Sequence, residues 1–194
     1  IGNSFEILKI KKIIEKLAAA ESRIFITGQT GTGKELIARK IHKNSSRSNK
    51  PFVVFNAALL QEKNYEKQLY GEEDKDSNIN YGILEKANQG TLLLDEVSEI
   101  PFSIQSNILR ILIDQKFKRV NGTKDINVDI RIISSTQRDL KKLIEEKKFR
   151  EDFYHRLNVV PIHLPPLQSR TQDIPLLIRY FKKKIAEING VQEA

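Results

Sequence analysis

The sequence predicts an α/β fold in which a parallel sheet is flanked by helices. Three observations point there. Residues 28–35 read GQTGTGKE, between the apolar run Ile24-Phe25-Ile26 and a helix-like run from Leu36 to His42. Strand, glycine-rich turn and helix in that order are the context of a phosphate-binding loop. Thr91-Leu92-Leu93-Leu94-Asp95-Glu96 is an apolar run that is continuous rather than alternating, as expected of a strand buried on both faces. Strand-like and helix-like runs alternate along the rest of the chain, which favours a parallel sheet.

Taken in order, Ser4 to Ala20 places Ile7, Ile10, Ile13, Ile14 and Leu17 at helical spacing, with Asn3 or Ser4 as candidate caps. Arg23–Thr27 reads as the first strand and Gly33–Asn44 as the helix after the loop. Polar residues 44–51 make a turn-rich connection to a second strand, Phe52–Phe55, closed by Asn56. Leu59–Tyr70 is weakly helical. Glu72–Asn80, EEDKDSNIN, is polar and non-periodic and reads as an exposed loop. A short helix at Ile83–Ala87 precedes the strand at 91–95, and Pro101 opens a helix over Phe102–Asp114. Phe117–Val120 and Ile126–Val128 flank Asn121-Gly122, a strong turn signal, and predict a small hairpin. Ile130–Ser134 is a further buried strand, Leu140–Glu146 a helix and Val159–His163 a last strand. After a turn at 169–172, Asp173–Ile188 is helical by its apolar spacing. The domain boundaries expected are 1–168 for the α/β subdomain and 169–194 for the first helix of a truncated helical subdomain.

Chemistry concentrates at two of these places. Gly28, Gly31 and Gly33 allow the backbone to curl until successive N–H groups face one anion. The helix that follows adds its positive end, and Lys34 a mobile charge for outer phosphates. The candidate binding segment is Gly28, Gln29, Thr30, Gly31, Thr32, Gly33, Lys34 and Glu35. Glu35 stands where the general motif has Ser or Thr for magnesium, so a plain glycine turn remains the rival reading of this stretch alone. Asp95 and Glu96 end a buried strand, where open α/β sheets bind ligands. Asp95 would hold magnesium, and Glu96 would polarise an attacking water. Acids that merely reach solvent are the ordinary alternative for that pair by itself.

At 194 residues the chain suffices for one domain with a real core. With no Cys it has no disulfide, thiol catalysis or cysteine metal site. No run approaches the ~18 apolar residues of a membrane span, and no signal peptide is visible, so a cytoplasmic setting is expected. The absence of Met, even at position 1, reads as an excised or processed chain. A net charge of +8 raises the question of nucleic acid. The lysines, however, are dispersed over helix faces with few aromatics among them, which favours a solvated surface.

Further along, GQTGTGKE, PFVVFNAALL, GTLLLDEVSEIP, QSNILRIL, FKRVNG, VDIRIISSTQRDL, FREDFYHRLNVVPIHLPPL and RTQDIPLL together resemble the AAA+ P-loop domain of bacterial enhancer-binding proteins, the sigma-54-dependent transcription activators. That family carries Glu after the loop Lys, which accounts for Glu35. The resemblance implies ATP and magnesium as ligands and a helical lid after residue 168. It also implies a ring, hexameric or heptameric, in the full-length protein.

The same resemblance implies roles for single residues. Asn56 looks like the switch that restrains Glu96, where an ordinary turn Asn is the plain alternative. Thr136 and Gln137 occupy the sensor I position, with Gln137 where the family usually has Asn. Arg150 and Arg156 look like paired arginine fingers acting on a neighbouring subunit, a device worth roughly 10³–10⁵ in rate elsewhere. Without the family context, two surface arginines pairing with Glu151 and Asp152 would be the simpler reading. His42, His155 and His163 lack metal spacing and read as structural.

One departure stands out. Leu69-Tyr70-Gly71 leads directly into EEDKDSNIN, where the family has a GAFTGA loop that contacts sigma-54. NtrX-like response regulators also lack that loop, and the chain looks most like those. The implied partners are DNA and a sensor histidine kinase, each through a domain outside this chain, with contact to sigma-54 in doubt. Two rival readings are a nucleotide-gated assembly module that hydrolyses little, and a sigma-54 activator with a divergent loop.

Overall fold

A computed structural model describes residues 2–59, 64–74 and 78–190. Helix α1 (Phe5–Ala18) leads into β1 (Ile24–Thr27), α2 (Lys34–Lys43) and β2 (Phe52–Asn56). Next come α3 (Tyr65–Tyr70), β3 (Gly71–Glu73), β4 (Ile79–Tyr81), α4 (Ile83–Lys86) and β5 (Thr91–Asp95). Then follow α5 (Phe102–Asp114), β6 (Lys116–Phe117), β7 (Ile126–Asn127) and β8 (Arg131–Thr136). The described chain closes with α6 (Leu140–Glu145), α7 (Glu151–Leu157), β9 (Val160–His163) and α8 (Ile174–Asn189).

Five parallel strands make the main sheet, in the order β2-β5-β8-β1-β9. Side chains along a strand alternate between faces, and that alternation splits the core in two. Ile24, Ile26, Leu93, Ile133 and Ile162 pack with Ile7, Ile10 and Ile14 of α1 and with Ala38 and Ile41 of α2. Phe25, Phe55, Leu92, Leu94 and Ile132 pack on the other face against α3 to α7. Both faces are covered, which explains the continuous apolar runs. No described helix is long and apolar enough to cross a membrane.

Several expectations change. The first helix starts at Phe5, and neither Asn3 nor Ser4 caps it with its side chain. The cap comes from far along the chain. Asp173 Oδ1 accepts the N–H groups of Asn3 at 2.6 Å and Ser4 at 2.8 Å, while the Ser4 hydroxyl donates to Oδ2 at 2.7 Å. At the other end, buried Arg131 donates to the α1 carbonyls of Leu17 and Ala18. The strand expected at 130–134 runs on through Ser135 and Thr136. Of the weak helix expected over 59–70, a 3-10 turn at Ala57–Leu59 and α3 are present. Residues 60–63 lie outside the described residues.

The segment expected as a loop, 72–80, is instead a hairpin. β3 pairs antiparallel with β4, Gly71 opposite Tyr81 and Glu73 opposite Ile79; residues 75–77 lie outside the described residues. Its stem is pinched. Gly71 adopts φ 77°, and a Cβ there would strike Asn80 and Gly82, while one on Gly82 would strike Gly71 and Leu69. The pair expected around Asn121-Gly122 is shorter than its pattern suggested. β6 and β7 exchange only two residue pairs, and Val120 turns away to bond with Gly71 and Glu73 of the hairpin, both at 3.0 Å. Arg119 then grips Glu85 through two hydrogen bonds, at 2.8 and 2.6 Å, and lies over the Tyr81 ring.

Candidate functional site

The carboxyl ends of β1, β2, β5 and β8 converge on one cleft of about 420 Å³. Open parallel sheets bind ligands at this edge because the helix N-termini face it there. The loop enters from β1, where the Gly28 N–H donates to the Thr136 carbonyl at 3.3 Å. Gly31 adopts φ 80° and Gly33 φ 99°, a region that costs any other residue roughly 1–2 kcal/mol. Gly33 is also the N-cap of α2 and has no side-chain cap, so the first amides of that helix are free for an anion. Within the loop the Thr32 hydroxyl donates to the Gln29 carbonyl at 2.7 Å.

Lys34 is buried, and its ammonium is held on three sides. It donates to the carbonyls of Gly28 at 3.0 Å and Gln29 at 3.4 Å, and it pairs with Glu96 Oε1 at 3.1 Å. Glu35 points along the surface of α2 and pairs with Arg39 at 2.7 Å. It contributes to the cleft lining together with Thr30, Gly31, Leu36 and Gln137.

Asp95 ends β5 with both carboxylate oxygens occupied. Asn56 Nδ2 donates to Oδ2 at 2.9 Å, and the Ser135 hydroxyl makes a short bond to Oδ1. Glu96, one residue on, takes a left-handed backbone, φ 54° and ψ 54°. That strained turn swings its side chain away from the strand axis. Its Oε2 then accepts the Gln137 N–H at 3.1 Å.

Asn56 therefore reaches Asp95 rather than Glu96. The cause is register: Asn56 stands directly opposite Asp95 in the β2–β5 ladder. Its own Oδ1 is spent on the Ala58 N–H at 3.0 Å. Of the two sensor candidates, Gln137 faces the cleft and Thr136 does not. Thr136 is fully buried, its hydroxyl accepting the Arg138 N–H at 3.1 Å. Gln137 Oε1 accepts a hydrogen bond from the Thr30 hydroxyl at 2.5 Å, joining β8 to the tip of the loop. Ser135 was not anticipated, although a polar residue at the end of an otherwise apolar strand is a signal for it.

Arg150 and Arg156 lie outside the cleft lining. Arg150, at the start of α7, forms a bidentate pair with Asp152, at 3.0 and 2.8 Å, which is the simpler pairing foreseen for it. That carboxylate raises the Arg150 pKa. Arg156 donates to the Leu112 carbonyl at the end of α5 at 3.2 Å, and its Nε is buried without a partner. His42 is buried against Thr91, 2.9 Å away, and Phe52, as a structural histidine would be.

The described residues contain no cluster of three or more His, Asp or Glu able to chelate a metal. The donors present suit a magnesium ion held jointly by one carboxylate, phosphate oxygens and water. Asp95, whose carboxylate Asn56 and Ser135 hold in place, would supply that carboxylate.

Residues 1–163 match the family described as the sigma-54 interaction domain. The nitrogen assimilation regulatory protein NtrX of Azorhizobium caulinodans is 43% identical over 193 residues, covering 99% of this chain and 42% of that protein. The regulatory protein AtoC of Escherichia coli is 44% identical over 193 residues, covering 97% of this chain and 42% of that protein. A crystal structure of NtrX from Brucella abortus in complex with ATP superposes with a TM-score of 0.94 at 48% identity, over 100% of this chain and 44% of that one. The chain thus spans less than half the length of the relatives it matches. It belongs to the sigma-54 interaction domain family, AAA+ P-loop domains whose members include those of the regulators NtrX and NtrC.

Proposed function

We propose that this domain binds ATP with magnesium and hydrolyses it as the central domain of an NtrX-like, two-component, DNA-binding response regulator. The observation that supports this most is the meeting of Lys34, Asp95 and Glu96 in one cleft beside an uncapped helix N-terminus. The amides of Gly31 and Gly33 and the Lys34 ammonium bind phosphate. Asp95 orients the metal, which would neutralise charge on the transferring phosphoryl group. Glu96 accepts the proton of the attacking water once its carboxylate leaves Lys34. Gln137 holds the loop tip through Thr30 and so sets the depth of the outer phosphate.

Arg150 and Arg156 act on the cleft of a neighbouring subunit in a hexameric or heptameric ring. Their position outside this chain's own cleft fits that role. Helix α8, none of whose residues is buried, is the first element of a helical lid beginning near residue 169. A receiver domain answering to a sensor histidine kinase and a DNA-binding domain complete the regulator, which works in the cytoplasm.

The β3–β4 hairpin favours a regulator that does not remodel sigma-54 through a GAFTGA loop. It is acidic, and its first strand is bonded to Val120 at Gly71 and Glu73. Robust activation in a sigma-54-dependent transcription assay would sink that part of the reading.

The test of the whole is phosphate release by the full-length protein across a concentration series, with Glu96→Ala as control. Turnover per subunit should rise with concentration and vanish in the variant. A second reading, a nucleotide-gated assembly module with little hydrolysis, draws on the engagement of Glu96 by Lys34. Clear ATP binding without turnover at any concentration would select it.

A further inference from the structure

We infer that Arg170 is a positioning residue for the phosphate loop, acting through the peptide between Thr32 and Gly33. The inference deepens the nucleotide-site reading and rests on it.

Arg170 lies between two 3-10 turns, Leu167–Ser169 and Thr171–Asp173, just before α8. It is 7% exposed. Its Nη2 donates to the Thr32 carbonyl at 3.1 Å, across 138 residues of sequence. In a trans peptide the carbonyl and the following N–H point in opposite directions. A guanidinium holding the Thr32 carbonyl on one side therefore aims the Gly33 N–H to the other. Gly33 lines the cleft and Arg170 does not. That N–H belongs to the set that would face a phosphate. Gly33, at φ 99°, has no side chain to fix this peptide plane from within.

Arg170 is itself immobilised. Its N–H donates to Leu167 at 3.0 Å, and its carbonyl accepts the Asp173 N–H at 2.9 Å. Asp173 is in turn clasped by Asn3 and Ser4. The Arg170 charge also acts on the buried carboxylate of Asp173, and the Arg170 Nε is buried without a partner.

The experiment is an equilibrium titration of the full chain with a fluorescent ATP analogue and magnesium, paired with thermal melts. Lys34→Ala establishes the site: if the wild type binds no analogue, or Lys34→Ala binds it equally, the nucleotide reading falls and the inference with it. Arg170→Ala is expected to bind about tenfold more weakly, and Arg170→Lys, which keeps a donor, to recover most of the loss. Arg131→Ala, which unseats α1 far from the loop, should lower Tm and leave affinity unchanged. If Arg170→Ala fails to fold, Arg170→Lys and Arg170→Gln carry the comparison, with affinity expected in the order wild type, Lys, Gln. Affinities for the folded variants within about twofold of wild type would overturn the inference, as would an affinity loss in Arg131→Ala as large as theirs.

Discussion

The ammonium of Lys34 and the carboxylate of Glu96 lie 3.1 Å apart, the charge for phosphate and the candidate base bound to each other. In the function proposed above, Glu96 would have to leave Lys34 to act as a base. Glu96→Gln should therefore separate two quantities. Turnover should fall by about 10²–10⁴-fold, the usual worth of a positioned base. ATP affinity should rise, because Lys34 no longer has an anion to exchange. Parallel phosphate-release and binding measurements check this, and a variant with weakened binding would contradict it.

The arginines should act between subunits. Arg156→Ala is expected to lower turnover by about 10³-fold or more with ATP affinity intact. Mixed with Glu96→Gln protein, itself inactive, it should regain activity. A subunit with intact Glu96 then meets an arginine supplied by its neighbour. Mixtures no more active than their parts would mean that each arginine serves its own chain.

Asp173 should hold the fold together from its far end. Asp173→Ala strips three hydrogen bonds from Asn3 and Ser4 and should cost about 2–3 kcal/mol in chemical denaturation. Burial pushes the Asp173 pKa up, but the Ser4 hydroxyl and the two amides more than offset it, so the net pKa lies below 3.8. The native state therefore holds fewer protons than the unfolded one just below pH 3.8. The stabilisation is present above that pH and is lost as pH falls through the native value, where wild type and variant should converge.

His42 predicts a second pH effect nearer neutrality. Burial lowers its pKa from 6.5, the nearby Arg131 and Arg39 lower it further, and a backbone hydrogen bond opposes them only in part. The native ring is neutral where an unfolded one would begin to charge. Stability should decline as pH falls below 6.5 and level off beneath the native pKa. His42→Gln should flatten that slope in melts taken between pH 5 and 7.5, and an unchanged slope would assign it elsewhere.

Much of this was readable in advance because it is local. Burial on both faces writes Leu92-Leu93-Leu94 as an unbroken apolar run, and helical spacing marks Phe102–Asp114 at the same limits the structure has. Gly28–Lys34 and Asp95–Glu96 could be assigned to one edge because parallel strands all end there. What escaped is set by register or by distance. Nothing near Asn56 says that it faces Asp95, since that follows from how β2 aligns with β5. Nothing near Ser4 announces a partner 169 residues away. The β3–β4 hairpin has no alternating pattern, because β4 is exposed and β3 only partly buried, and Arg119 and Val120 hold the pair.

The pinch between Gly71 and Gly82 has a consequence for how such a domain can change. Gly71 and Gly82 meet backbone to backbone at the base of the hairpin, and just beyond them Glu73 and Tyr81 tie the stem to Val120 and Arg119. With the stem anchored in this way, residues inserted between β3 and β4 should cost little stability. A longer loop transplanted between Glu73 and Ile79 should leave the melting temperature nearly unchanged, so that one frame would accept different tips.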